Sequence, residues 1–95
     1  MDPPSYGRGP NGEIWKLEDG IDELIRLCVP LLSKKPLFMI VNSYTTGLSA
    51  STVGYLLGLY IAKPLGGNVS SDEIGIPVTS TGMPLPAGST SRVTW

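Results

Sequence analysis

Leu37-Phe38-Met39-Ile40-Val41 is an unbroken apolar run, and it restricts the fold more than any other feature of the chain. It has strand length and no polar alternation, which predicts a strand buried on both faces in a parallel α/β sheet. Upstream, Ile21, Leu24, Ile25, Cys28, Leu31 and Leu32 recur at helical spacing from Glu18 onward. Asp19 is placed to cap that helix, with Asp22 and Glu23 in its first turn. Pro30 should tighten the last turn, and Lys34-Lys35-Pro36 should end it with cations at the negative end of the dipole. Downstream, Ser49 and Ser51 are candidate caps of a second helix running to about Ala62, with Val53, Leu56, Leu57, Tyr60 and Ile61 as its buried stripe. Pro64 and Gly66-Gly67 close it.

Two weaker strand patterns follow, Val69 to Val78 and Ser89 to Trp95, joined by a turn around Thr81-Gly82-Met83-Pro84, which reads as a hairpin. Residues 1–13 carry prolines and glycines without a periodic apolar face and read as a loop. The order is loop, helix, buried strand, loop, helix, hairpin: one α/β domain over residues 1–95. Glycine and proline make up 21 of 95 residues, just under the roughly 25–30% at which disorder is the better expectation, so the chain reads as globular and loop-rich.

With no histidine and one cysteine, the chain cannot build a Ser-His-Asp triad, a disulfide or a His/Cys zinc site. Its net charge of -1 supplies no basic field for nucleic-acid phosphates, so any such substrate needs its grip from another segment. The apolar stretch Val53 to Ala62 is far short of a bilayer span, and the first residues have no signal-peptide pattern, which predicts a cytoplasmic, non-membrane protein.

Gly7-Arg8-Gly9-Pro10-Asn11-Gly12 has the G-x-G-x-x-G spacing of a dinucleotide-binding turn. It lacks the preceding strand and following helix that such a turn requires, and reads as a surface loop. Asp2-Pro3-Pro4-Ser5-Tyr6 is more informative. Its prolines fix the backbone and withhold their own donors, leaving carbonyls and the Asp2 carboxylate as acceptors for a flat ligand on which Tyr6 stacks. Asn42-Ser43-Tyr44-Thr45-Thr46-Gly47 is a polar loop containing an aromatic, just beyond the apolar run. Trp15 reads as a staple onto the core, and Asp72-Glu73 as a turn within or before a strand.

DPPSYGRGPNGEIWKLE, the strand LFMIV and the loop NSYTTGLS together resemble the C-terminal half of a class I S-adenosylmethionine-dependent methyltransferase, and more narrowly the large-subunit ribosomal RNA methyltransferase family. The resemblance covers essentially the whole chain. It implies the C-terminal half of a Rossmann-like methyltransferase sheet: a buried strand, two helices and a terminal antiparallel hairpin. It further implies that Asp2, Pro3 and Pro4 face the methyl donor and the target base, that Tyr6 packs near that base, and that Asn42, Ser43 and Tyr44 line the opposite wall. S-adenosylmethionine is the implied cofactor and ribosomal RNA the implied substrate. Relatives that methylate cytosine C5 carry a cysteine in the second loop; here that loop has none, and Cys28 falls on the apolar helix face, which favours attack by a base nitrogen. The glycine-rich cofactor half of the family is not in this sequence, which implies a fragment, a split product or an internal start. The alternative is an inactive α/β module that oligomerises or pairs with a separate N-terminal half. Either way Leu37 to Val41 should present an open edge and associate through it.

Overall fold

Burial along the central apolar run organises the molecule, and the computed structural model describes all 95 residues. Strand β3 (Phe38–Ser43) hides Met39, Val41 and Ser43 and turns Phe38 and Ile40 outward, so the run alternates instead of being buried on both faces. The cause is one-sided cover. Met39 and Val41 share a core with residues of both helices, whereas Phe38 on the opposite face is 62% exposed.

Strands β4 (Asn68–Pro77) and β5 (Pro84–Thr94) form the hairpin, turning through Gly82 at φ +68. The last strand enters the middle of the sheet: the order is β3-β5-β4, with β5 antiparallel to both neighbours. β3 and β4 therefore run in the same direction without touching, and the parallel contact that the apolar run suggested is made on the other edge of β3, by Met1. Val93 and Ser91 on the central strand are buried, opposite Met39 and Val41 on one side and Val69 and Ser71 on the other. Asp72 and Glu73 lie within β4 as regular ladder pairs, and its irregularity falls just after them, between Ile74 and Gly75.

Helix α1 (Leu17–Cys28) begins before the aspartate expected to cap it. Lys16 stands at the N-cap with no side-chain bond, the Leu17 amide donates to the Ser5 carbonyl at 3.0 Å, and the Leu17 side chain is wholly buried. Tertiary anchoring replaces the side-chain cap, and the first-turn carboxylates are Glu18 and Asp19. Pro30 winds residues Val29–Leu31 into a 3₁₀ turn, whose tighter pitch rotates Leu31 out of the apolar stripe to 80% exposure. The chain turns extended at Leu32, so Arg26 and not the lysine pair is the cation of the last turn.

Helix α2 (Ala50–Leu57) is capped by Ser49, whose hydroxyl accepts the Thr52 amide at 3.3 Å. It continues through a π-helical turn (Gly58–Ala62) and a final turn (Lys63–Leu65) that includes Pro64, and stops at Gly66, φ +76. Val53, Leu57 and Ile61 are buried, and Leu56 and Tyr60 half-buried. The Tyr60 hydroxyl donates to Asp22 at 2.7 Å, which joins the two helices and holds the phenol above its usual pKa.

The first thirteen residues hold more order than a loop. β1 (Tyr6–Arg8) and β2 (Ile14–Lys16) make a small antiparallel hairpin in which Gly7 faces Trp15. The Trp15 ring lies against Gly20 of α1, where any Cβ would overlap it. Ala for Gly inside a helix ordinarily stabilises by about 1 kcal/mol. Here Gly20→Ala is expected to reverse that sign and destabilise by about 1–3 kcal/mol, because the indole has to move; urea unfolding measures it.

Candidate functional site

The N-terminal segment is held against the end of β3 by backbone bonds. The Met1 amino group donates to the Ile40 carbonyl at 2.6 Å, and the Asn42 amide donates to the Met1 carbonyl at 3.0 Å. Two bonds from one residue to positions flanking Val41 are the signature of a parallel pairing. Beyond Met1, the Trp15 indole N–H donates to the Pro4 carbonyl at 2.8 Å, the Leu17 amide takes the Ser5 carbonyl, and the Thr45 hydroxyl donates to Ser5 Oγ at 2.7 Å. The carbonyls of Met1, Pro4 and Ser5 are therefore occupied. Those of Asp2 and Pro3, with the exposed Asp2 carboxylate, have no partner within the chain. Tyr6 sits in β1, 51% exposed, and its hydroxyl accepts the Arg8 Nε–H at 3.0 Å.

The second loop starts later than its sequence suggests. Asn42 and Ser43 are the last residues of β3, and the loop begins at Tyr44. Asn42 is half-buried; Ser43 is 3% exposed, with its Oγ accepting the Thr45 amide at 3.3 Å. The Tyr44 ring, 56% exposed, lies against Gly88, which has φ +125 and whose Cβ would stand 2.8 Å from the Ser43 carbonyl. Beside it opens a groove of about 930 Å³, walled by the Tyr44–Ser49 loop, the first turn of α2, Asp72 and Glu73 of β4, and Pro86 to Ser89 of β5. The buried Ser91 hydroxyl, 2.7 Å from the Ala50 carbonyl and 3.0 Å from Ser71 Oγ, fastens the start of α2 to the sheet. Having one proton, it donates to the carbonyl and accepts from Ser71.

Sequence reasoning thus named residues that fall on two neighbouring surfaces. Asp2, Pro3, Pro4 and Tyr6 lie on the N-terminal segment, Ser43 and Tyr44 line the groove, and the Thr45–Ser5 bond joins the two. Trp15, read as a staple, does pack against the core, while Ser5, Thr45 and Gly88 were missed as positioning residues. The one sequence signal for the clamp was the indole N–H of Trp15 itself, since a half-buried indole seeks an acceptor.

The glycine-rich turn is filled from within. Gly9 donates to the Glu13 carbonyl at 2.9 Å, while the Asn11 backbone and side-chain N–H groups donate to the Glu13 carboxylate at 3.0 and 3.2 Å. That carboxylate takes donors an anion would need, which supports the surface-loop reading. Amide bonds from Glu13 itself and from Asn11 hold its carboxyl below the usual range. Cys28 is half-buried with its Sγ 3.3 Å from Met1 Sδ.

No family model matches the sequence, and no curated protein does. Among solved structures, the SAM-dependent methyltransferase from Agrobacterium tumefaciens is similar over 98% of this chain at 30% sequence identity, with a TM-score of 0.84. The chain spans 31% of that protein's length. It is an α/β module with the fold of part of a SAM-dependent methyltransferase. No helix is long and apolar enough to cross a membrane.

Gly88→Ala is expected to push the Tyr44 ring from its seat and to destabilise the chain by roughly 1–3 kcal/mol through strain at positive φ and overlap. Altered Tyr44 ring shifts by NMR, with the β3–β5 ladder retained, check it. Glu13 should titrate below the ordinary value of about 4.3. Its folded-state pKa is depressed, so its contribution to hairpin order is present above that ordinary value and is lost as pH falls through the folded one. Slower amide exchange at Asn11 above the transition than below it, after correction for intrinsic pH dependence, is the expected reading.

Proposed function

We propose that this chain forms the substrate side of an S-adenosylmethionine-dependent methyltransferase acting on a base of large-subunit ribosomal RNA. The observation that carries the reading is the clamp that brings Asp2-Pro3-Pro4-Ser5 against the end of β3, forty residues away in sequence, beside a polar groove. The unpartnered acceptors of Asp2 and Pro3 suit a donor that is positively charged at the group it transfers, and no lysine or arginine makes an ion pair with Asp2. When bound, that cofactor would supply an electrophilic methyl group for a ring nitrogen of the base, and the acceptors of Asp2 and Pro3 would hold it. The chain's own contribution is positioning. Asp2 accepts an N–H of the base and aims the lone pair. Tyr6 and Tyr44 offer exposed faces for stacking, and Ser43 lines the groove beside Tyr44, while Asn42, with its side chain on the opposite face of β3, holds Met1 through its backbone amide. No thiol lies among Asn42 to Thr45, and Cys28 packs against Met1, which supports nitrogen attack over covalent addition by a cysteine. A net charge of -1 leaves most of the phosphate grip to segments outside this chain.

A second reading, an α/β module that is inactive by itself, is favoured by the chain's spanning only 31% of its structural neighbour. Calorimetry with S-adenosylmethionine separates the two. Affinity in the micromolar range supports donor binding by these residues; no heat at millimolar donor removes Asp2 and Pro3 from the cofactor site. In a methyl-transferring assembly containing this chain, Asp2→Ala should lower the chemical step more than donor affinity. Tyr6→Ala should cost about 1–3 kcal/mol of base stacking with the fold intact, and unchanged single-turnover rates would remove Tyr6 from the site.

A further inference from the structure

Two neighbouring surfaces carry the same pair of groups. On the N-terminal segment the exposed ring of Tyr6 accompanies the carboxylate of Asp2, which has no cation; in the groove beyond β3, Tyr44 accompanies Glu73. The register of the sheet builds the second pair. Ser43, Ser89 and Glu73 stand opposite one another on β3, β5 and β4, a transverse row at the end of the ladder, and all three line the groove. Glu73 shares its side of β4 with Ser71, whose Oγ lies where a Cβ on Gly54 of α2 would fall, so this side faces the helix. Asp72, on the opposite side, has the Arg92 guanidinium 3.9 Å away. Glu73 is left without an ion-pair partner.

The lining decides what the groove takes. No lysine or arginine contributes to it and a carboxylate stands in it, so a phosphate is repelled. Glu73 only accepts, through two oxygens, and calls for two adjacent N–H donors on a flat group that can stack on Tyr44. Ser89 lies one strand away, about 4.8 Å along the row. Its hydroxyl reaches the Ser43 carbonyl at 3.5 Å, a long bond that a better acceptor replaces. The row therefore reads two donors and then an acceptor along one flat edge. Guanine carries that order, with its 2-amino group and N1–H beside O6, whereas adenine, cytosine and uracil each offer a carboxylate one donor group. An arginine guanidinium supplies the donors but has no acceptor for Ser89.

We propose that the groove is a second base subsite, in which a guanine stacks on Tyr44 while Glu73 and Ser89 read its edge, and that this guanine neighbours the base that receives the methyl group. The inference rests on the base-methylating reading for its ligand and adds the residue that selects the neighbour. Guanosine titrated into the isotope-labelled chain should shift the Tyr44 ring and the Glu73 and Ser89 amides by NMR, and inosine, which lacks the 2-amino group, should bind about tenfold more weakly. Glu73→Gln, at an exposed position without an ion-pair partner, should abolish that preference with unchanged circular dichroism. Equal affinity for the two nucleosides overturns the proposal, as does a preference that survives Glu73→Gln or the absence of groove shifts at millimolar guanosine. Stronger shifts of the same groups by acetyl-arginine amide overturn it in favour of a basic peptide. Calorimetry with S-adenosylmethionine keeps the two readings apart: donor heat without guanosine shifts removes the subsite alone, and guanosine shifts without donor heat uphold the subsite and remove donor binding alone.

Discussion

The pairing of β3 with β5, from Phe38 opposite Thr94 to Ser43 opposite Ser89, is the contact on which the other elements depend. It places Val93 and Ser91 in the middle of the sheet with neighbours on both sides, so these two residues become part of the floor on which α2 packs. Val93 joins the apolar core, and the Ser91 hydroxyl reaches up to the first turn of α2. At the upper end of the same ladder, Gly88 follows directly on the last pair and makes room for Tyr44. A strand in this position cannot be shifted by one residue without exchanging Val93 for Arg92 in the core, which makes the register, and with it the groove, a single solution.

The N-terminal segment depends on that ladder in turn, since it binds to the other edge of β3. Each of its bonds, from Met1, Trp15, Leu17 and Thr45, contributes on the order of 0.5–1.5 kcal/mol net, too little alone to order a chain end. Together they fix residues whose freedom in the unfolded chain is already reduced by two consecutive prolines. The pattern also sorts the acceptors. Carbonyls that face the protein are used, and those of Asp2 and Pro3 are left over, available to the ligand proposed above.

The helices, the apolar strand and the final hairpin were legible because each follows a local rule: the stripe through Ile21 and Ile25, the Ser49 cap and the Pro/Gly turn near Gly82. What escaped the sequence was set by distant partners. Leu17 starts α1 because Ser5 and the core receive it, a contact no capping rule contains. Phe38 and Ile40 are apolar yet outward, because apolar composition records a need for cover without showing whether this chain provides it. The insertion of β5 between β3 and β4 leaves no local mark, since an antiparallel hairpin reads the same wherever it docks. At the site, Asp2 to Tyr6 and Asn42 to Tyr44 stood out by composition, while Thr45 and Gly88, which hold those segments in place, are ordinary loop residues until the two segments meet.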